Sequence, residues 1–156
     1  MLSTMENIDD VLRSADRAAA APFTYHFDTP VWYPLAMAAY FTAVAGTFPL
    51  LMAGRLALGA GLLVLAVAAV GILTLVLRRR FGTWPSMSGA PAEIRRVFLL
   101  LVLLALGALL VSAVMWQVAG TVGGLVAVFL TSLAVVWGYE FRLYPAAASR
   151  FRRRLA

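Results

Sequence analysis

Residues 97–139 read VFLLLVLLALGALLVSAVMWQVAGTVGGLVAVFLTSLAVVWGY, without one Asp, Glu, Lys, Arg or His. A bilayer core ~30 Å thick is crossed by about 20 apolar residues in a helix, so this run of about 43 is enough for two crossings. Gln117 is the only strongly polar side chain near its middle, and Gly120, Gly123 and Gly124 add flexibility beside it. The expected reading is two spans, 97–116 and 118–139, joined at a tight turn at Gln117.

Upstream, 31–53 and 56–77 are equally free of ionisable side chains and are separated only by Gly54 and Arg55. Four spans follow, arranged as two tight helical hairpins joined by a loop at 78–96. Composition agrees. Hydrophobic residues make up 63% of the 156 and charged residues 13%, against roughly 45–50% and 25% in soluble domains. The first apolar run begins too late and runs too long for a secretory signal peptide, so residues 1–30 are expected to be a polar leader before a true span.

Arginine sets the orientation, because loops that stay in the cytoplasm keep their positive charge. Every arginine except Arg55 lies in the leader (Arg13, Arg17), the loop (Arg78, Arg79, Arg80, Arg95, Arg96) or the tail at 140–156 (Arg142, Arg150, Arg152, Arg153, Arg154). Both termini and the loop are therefore expected in the cytoplasm. The absence of Lys beside abundant Ala and Leu fits GC-rich codons, hence the plasma membrane (the inner membrane of the cell) of a GC-rich bacterium. Trp32 and Trp137 fall where an inner aromatic belt is expected, and Trp116 where an outer one is.

Lipid is as apolar as leucine, so spans associate through close backbone approach at small residues. The fourth span has such a seam in Gly120, Gly124, Ala127, Thr131, Ala134 and Gly138, spaced three or four residues apart along one face. Weaker seams are Ala57, Gly61, Ala68 and Gly71 in the second span, Ala36, Ala39, Ala43 and Gly46 in the first, and Ala105, Ala108 and Ser112 in the third. The fold class expected is an all-α integral membrane protein, a left-handed four-helix bundle with crossings near +20°. Pro34 fits the first turn of span one, and Pro49 removes one hydrogen bond near its outer end.

The leader adds a cytoplasmic amphipathic helix. Ser3 and Glu6 have capping-box spacing, and Leu2, Met5, Ile8, Leu12 and Ala15 share one side. Glu6, Asp9, Asp10 and Asp16 outweigh Arg13 and Arg17 on the other. Anionic lipid repels such a face, so Leu2, Met5, Ile8 and Leu12 are expected to dock on a protein surface. Residues 23–33, FTYHFDTPVWY, read first as an interfacial anchor, with His26 and Asp28 as the polar contacts of an alternative binding platform. Arg78, Arg79, Arg80, Arg150, Arg152, Arg153 and Arg154, beside Phe81, Trp84 and Phe151, are expected to meet anionic lipid headgroups, at ~1 kcal/mol per arginine. The positive-inside rule already accounts for these arginines, so nucleic acid is not an expected partner.

With no Cys and a single His, disulfides, thiol catalysis and zinc or iron–sulfur ligand sets are excluded, and neither cofactor nor metal is expected. No span carries an acid or base for catalysis or ion coupling. The small multidrug transporters also have four spans, but they depend on a glutamate in the first, and none stands there. The expected function is a non-enzymatic structural or accessory subunit of a membrane complex or homo-oligomer. The alternative is a small oligomeric transporter or channel for neutral or lipophilic cargo. An enzyme working at the cytoplasmic interface through His26, Asp28, Glu93 or Glu140 ranks last, since these residues form no known motif.

Overall fold

The structure, a computed structural model, describes residues 29–81 and 92–155, without the side chains of residues 80, 81, 152, 154 and 155. Among the described residues every regular element is helical: α1 (Tyr33–Met52), α2 (Leu56–Phe81), α3 (Ala92–Gly138), a π-helical turn (Tyr139–Leu143) and α4 (Tyr144–Leu155). Three helices are long and apolar enough to cross a membrane: Tyr33–Met52, Leu56–Arg79 and the continuous stretch Ala92–Phe151. Leu58, Val64, Leu65, Leu109, Leu110 and Val122 are among many large apolar side chains left on the outside. That exposure is what lipid, as opposed to water, accommodates.

α1 starts with Pro34 in its first turn, where a proline sacrifices no helical hydrogen bond. It ends in a Schellman cap. The Gly54 N–H donates to the Leu51 carbonyl at 3.0 Å and the Arg55 N–H to the Leu50 carbonyl at 2.9 Å. Gly54 has φ 73°, which suits a residue without a Cβ. The Gly59 N–H donates to the Arg55 carbonyl at 3.0 Å as α2 begins. The two helices come close at Gly59, since a Cβ there would lie 2.8 Å from Leu51 Cδ2 and 3.4 Å from the Thr47 carbonyl oxygen.

α3 contains one non-helical residue, Gly120, at φ 67° and ψ −166°. Two neighbours across that point show how far the axis turns. The Ser112 and Thr131 hydroxyls lie 3.5 Å apart although 19 residues separate them; in a straight helix they would be roughly 28 Å apart. A Cβ on Gly124 would lie 2.5 Å from Trp116 Cε3, where a straight helix would hold the two residues about 12 Å apart. The break thus falls at Gly120, three residues after the expected Gln117, because only glycine adopts this backbone conformation cheaply.

α1 packs against both α2 and α3, while α2 and α3 make no substantial contact with each other among the described residues. The space beside Gly46 is bordered by Leu62 of α2 and Leu125 of α3. Such an arrangement places α1 between its neighbours, and among the described residues α2 and α3 meet too little to close a compact bundle. The helical boundaries also exceed the expected ones at the arginine-bearing end. α2 continues through Arg78 and Arg79, α3 begins at Ala92, and residues of the expected tail form α4.

Candidate functional site

The expected seam of 118–139 divides along its length. Gly124 and Ala127 are buried, Thr131 and Gly138 are half-buried, and Gly120 and Ala134 are exposed. Gly124 is held under Trp116, whose ring would sit 2.5–2.9 Å from an added Cβ. Trp116, itself half-buried, thus packs within the turn of its own helix. A Cβ on Gly123 would collide with that of Ala119, whereas Gly120 and Gly138 face open space.

The seam expected on 56–77 points outward. Ala57, Gly61, Ala68 and Gly71 are all exposed, and the buried residues of α2 are Gly59 and Ala66. In α1 the buried residues are Pro34, Ala38 and Thr47; of the expected seam, Ala36, Ala43 and Gly46 are half-buried, with Gly46 facing Leu62 and Leu125, and Ala39 is exposed. Ser112 is buried in the third seam while Ala105 is exposed. Small-residue spacing alone does not select the packing face when every face of the helix is apolar.

Hydroxyls within the helices are spent locally. Thr42 donates to the Ala38 carbonyl (2.8 Å), Thr47 to Val44 (2.7 Å), Thr74 to Val70 (2.8 Å), Ser112 to Ala108 (2.8 Å) and Thr131 to Ala127 (2.7 Å). Each bond lies within one helix, the usual arrangement for a hydroxyl surrounded by hydrocarbon.

Polar groups of distant sequence meet at the arginine-bearing end. The Thr29 hydroxyl donates to Glu140 Oε2 at 3.0 Å, joining residues 111 positions apart. Glu140 also interacts electrostatically with the phenols of Tyr33, Tyr139 and Tyr144. The Tyr139 and Tyr144 rings stand 6.0 Å apart, and those of Trp137 and Phe141 4.8 Å apart. Glu140 lies in the π-helical turn, where one extra residue per turn re-aims side chains. From the sequence, Glu140 is expected only in the least favoured hypothesis and Thr29 and Tyr33 only within the aromatic stretch 23–33, while Tyr139 and Tyr144 are not expected as contacts. The signal available was the density of Tyr and Trp at both chain positions.

Beneath this cluster α4 docks on the start of α3. Ile94 and Ala147 are each 1% exposed, with Val97 and Tyr144 packed around them. Arg78, Arg79, Arg150 and Arg153 are exposed, as headgroup contacts require, and so are Arg95, Arg96 and Arg142. Arg150 Nε donates to the Ala146 carbonyl at 3.2 Å. The side chains of Arg80, Arg152 and Arg154, the docking residues Leu2, Met5, Ile8 and Leu12, and His26 and Asp28 lie outside what is described. Glu93 is half-buried in the first turn of α3, and among the described residues no group of three or more His, Cys, Asp or Glu side chains is placed to hold a metal ion.

Comparison of the chain with known protein families, characterised proteins and solved structures returns no match.

Proposed function

We propose that the protein is a non-enzymatic, four-span membrane protein that serves as a structural or accessory subunit, assembling with itself or with a larger membrane complex. The crossings are two hairpins turning at Gly54 and Gly120, with both termini in the cytoplasm of a bacterium and exposed arginines against anionic lipid. The observation that carries this proposal is the local use of hydroxyls. Thr42, Thr47, Thr74, Ser112 and Thr131 all donate to carbonyls of their own helices, so they offer little to a cargo or a reacting group. That weighs against the transport alternative, which would need them to line a pathway.

The surface for assembly is the outward face of α2. Open space at Gly61 and Gly71 would allow another helix backbone to approach closely. The test is mass determination and affinity capture in mild detergent, with and without Gly61→Leu. A defined homo-oligomer or a stoichiometric partner supports assembly. A monomer with no partner counts against it, and a symmetric ring around a central opening favours the channel.

A further inference from the structure

We infer that the start of α3 and α4 form a two-helix pillar that carries Arg150 and Arg153 clear of the lipid headgroups, where they bind an acidic segment of a cytoplasmic protein.

The inference rests on the four-span reading above and on helix register. Trp116 covers Gly124, Ser112 meets Thr131, and Ile94 packs with Ala147. From the first of these contacts to the last, one arm runs back 22 residues (116 to 94) and the other runs forward 23 (124 to 147). The two arms therefore stay antiparallel and in step from the turn at Gly120 into α4.

Height can be counted along this hairpin. Glu140 lies twenty residues after Gly120, about 30 Å of helix, which matches the thickness of the hydrocarbon. Glu140 thus marks the inner boundary, and Thr29 meets it there just before α1 begins. α2 reaches the same boundary near Arg78. Gly59 lies against Leu51, and Leu62 lies beside Gly46; continuing that antiparallel step brings Arg78 level with the start of α1. Arg150 and Arg153 are ten and thirteen residues past Glu140, about 15 and 20 Å farther out. The headgroup layer is only about 5–8 Å deep on each side, and snorkelling recovers only part of the difference. Arg78 and Arg79 therefore stay at the lipid, while Arg150 and Arg153 stand beyond it.

Charge selects the partner. Residues 92–97 and 144–155 hold six arginines and one acid, Glu93, which is half-buried, whereas Arg95, Arg96, Arg150 and Arg153 are exposed. Burial of Ile94 against Ala147 fixes the two helices together, so the guanidinium groups are presented on a firm support. A guanidinium pairs with a carboxylate through two parallel hydrogen bonds, and arginine clusters hold acidic motifs in this way. Single-stranded nucleic acid would also use rings for stacking, but Tyr144 and Phe151, the rings of this segment, are half-buried.

The test uses the full-length protein in nanodiscs of phosphatidylcholine, which expose both faces, so that sidedness does not enter. The chain contains no cysteine, and a fluorophore can be placed at Arg142→Cys or Arg153→Cys. With a quencher on the lipid headgroups, the Arg153→Cys label should be quenched at least about threefold less than the Arg142→Cys label, given the depth of the headgroup layer. Equal quenching would lay α4 on the membrane and overturn the proposal. Binding is then read with a fluorescent polyglutamate peptide. Arg150→Glu with Arg153→Glu should weaken it at least about tenfold, and Arg78→Glu with Arg79→Glu less than about twofold, because only the first pair faces the peptide. Arg150→Gln with Arg153→Gln should give an intermediate loss. No binding to the parent protein, or equal losses from the two Glu pairs, would overturn the proposal. So would tighter binding of a DNA oligonucleotide of equal charge, which would make nucleic acid the partner.

Discussion

Ser112 and Thr131 face each other across the turn at Gly120, their hydroxyl oxygens 3.5 Å apart. Each also holds a carbonyl one turn back in its own helix, so the pair marks the contact between the two arms of α3. The contact requires the backbone reversal between them, and that reversal rests on one residue.

Gly120 is therefore expected to tolerate nothing with a Cβ. Its φ of 67° and ψ of −166° lie in a region essentially reserved for glycine, at a cost of about 1–3 kcal/mol for other residues. Gly120→Ala should lower the midpoint of thermal unfolding in detergent, although space around the new methyl is open. Gly107→Ala also meets open space, but within regular helix. It should be neutral or stabilising by up to ~1 kcal/mol.

Gly124 is expected to fail for a different reason, contact. An added Cβ would lie 2.5–2.9 Å from three ring atoms of Trp116. Overpacking of this kind costs about 1–3 kcal/mol. Gly124→Ala should be destabilising, and Gly124→Leu more so, separating the arms or altering oligomer size. Gly124→Ala combined with Trp116→Leu should recover part of the loss in the same thermal measurement. An unchanged midpoint for Gly124→Leu would mean that this face looks at lipid.

The sequence carried the membrane class, the helical content and the turn at Gly54–Arg55 because each is local: apolar length, missing charge and a glycine between two runs. It identified Gly120 as turn material but assigned the break to Gln117, since polarity is visible in a sequence and a demanded φ is not. The outward aim of Ala57, Gly61, Ala68 and Gly71 was hidden for a related reason. In a helix apolar all round, neighbours rather than patterning choose the buried face. The Thr29–Glu140 bond joins residues that nothing in the sequence pairs.

That bond is expected to couple the start of α1 to the π-helical turn. Removing Thr29 and Glu140 singly and together, as Thr29→Val and Glu140→Ala, forms a double-mutant cycle. The expected coupling is about 1.5 kcal/mol, the low end for a hydrogen bond to a charged group because this one is half-buried. Additive losses would show that the two residues act independently.

The docking of α4 is expected to depend on small volume at Ala147, which is 1% exposed against Ile94. Ala147→Leu has no room and should lift α4 from α3. Amide exchange in residues 144–155 should then speed up at least about tenfold, while exchange near Ser112 and Thr131 stays slow. Equal exchange in the variant and the parent would mean that α4 holds its place without this contact.

The most direct test of the account asks on which side of the membrane each turn lies. Single cysteines at Arg55→Cys, Thr121→Cys and Ser149→Cys, introduced into a chain that has none, can be probed in intact cells with a membrane-impermeant thiol reagent. Four crossings with cytoplasmic termini predict that Arg55→Cys and Thr121→Cys react from outside, while Ser149→Cys reacts only after permeabilisation. Protection at Thr121→Cys together with labelling at Ser149→Cys in intact cells would mean three crossings, and would contradict the turn at Gly120 as an outer one.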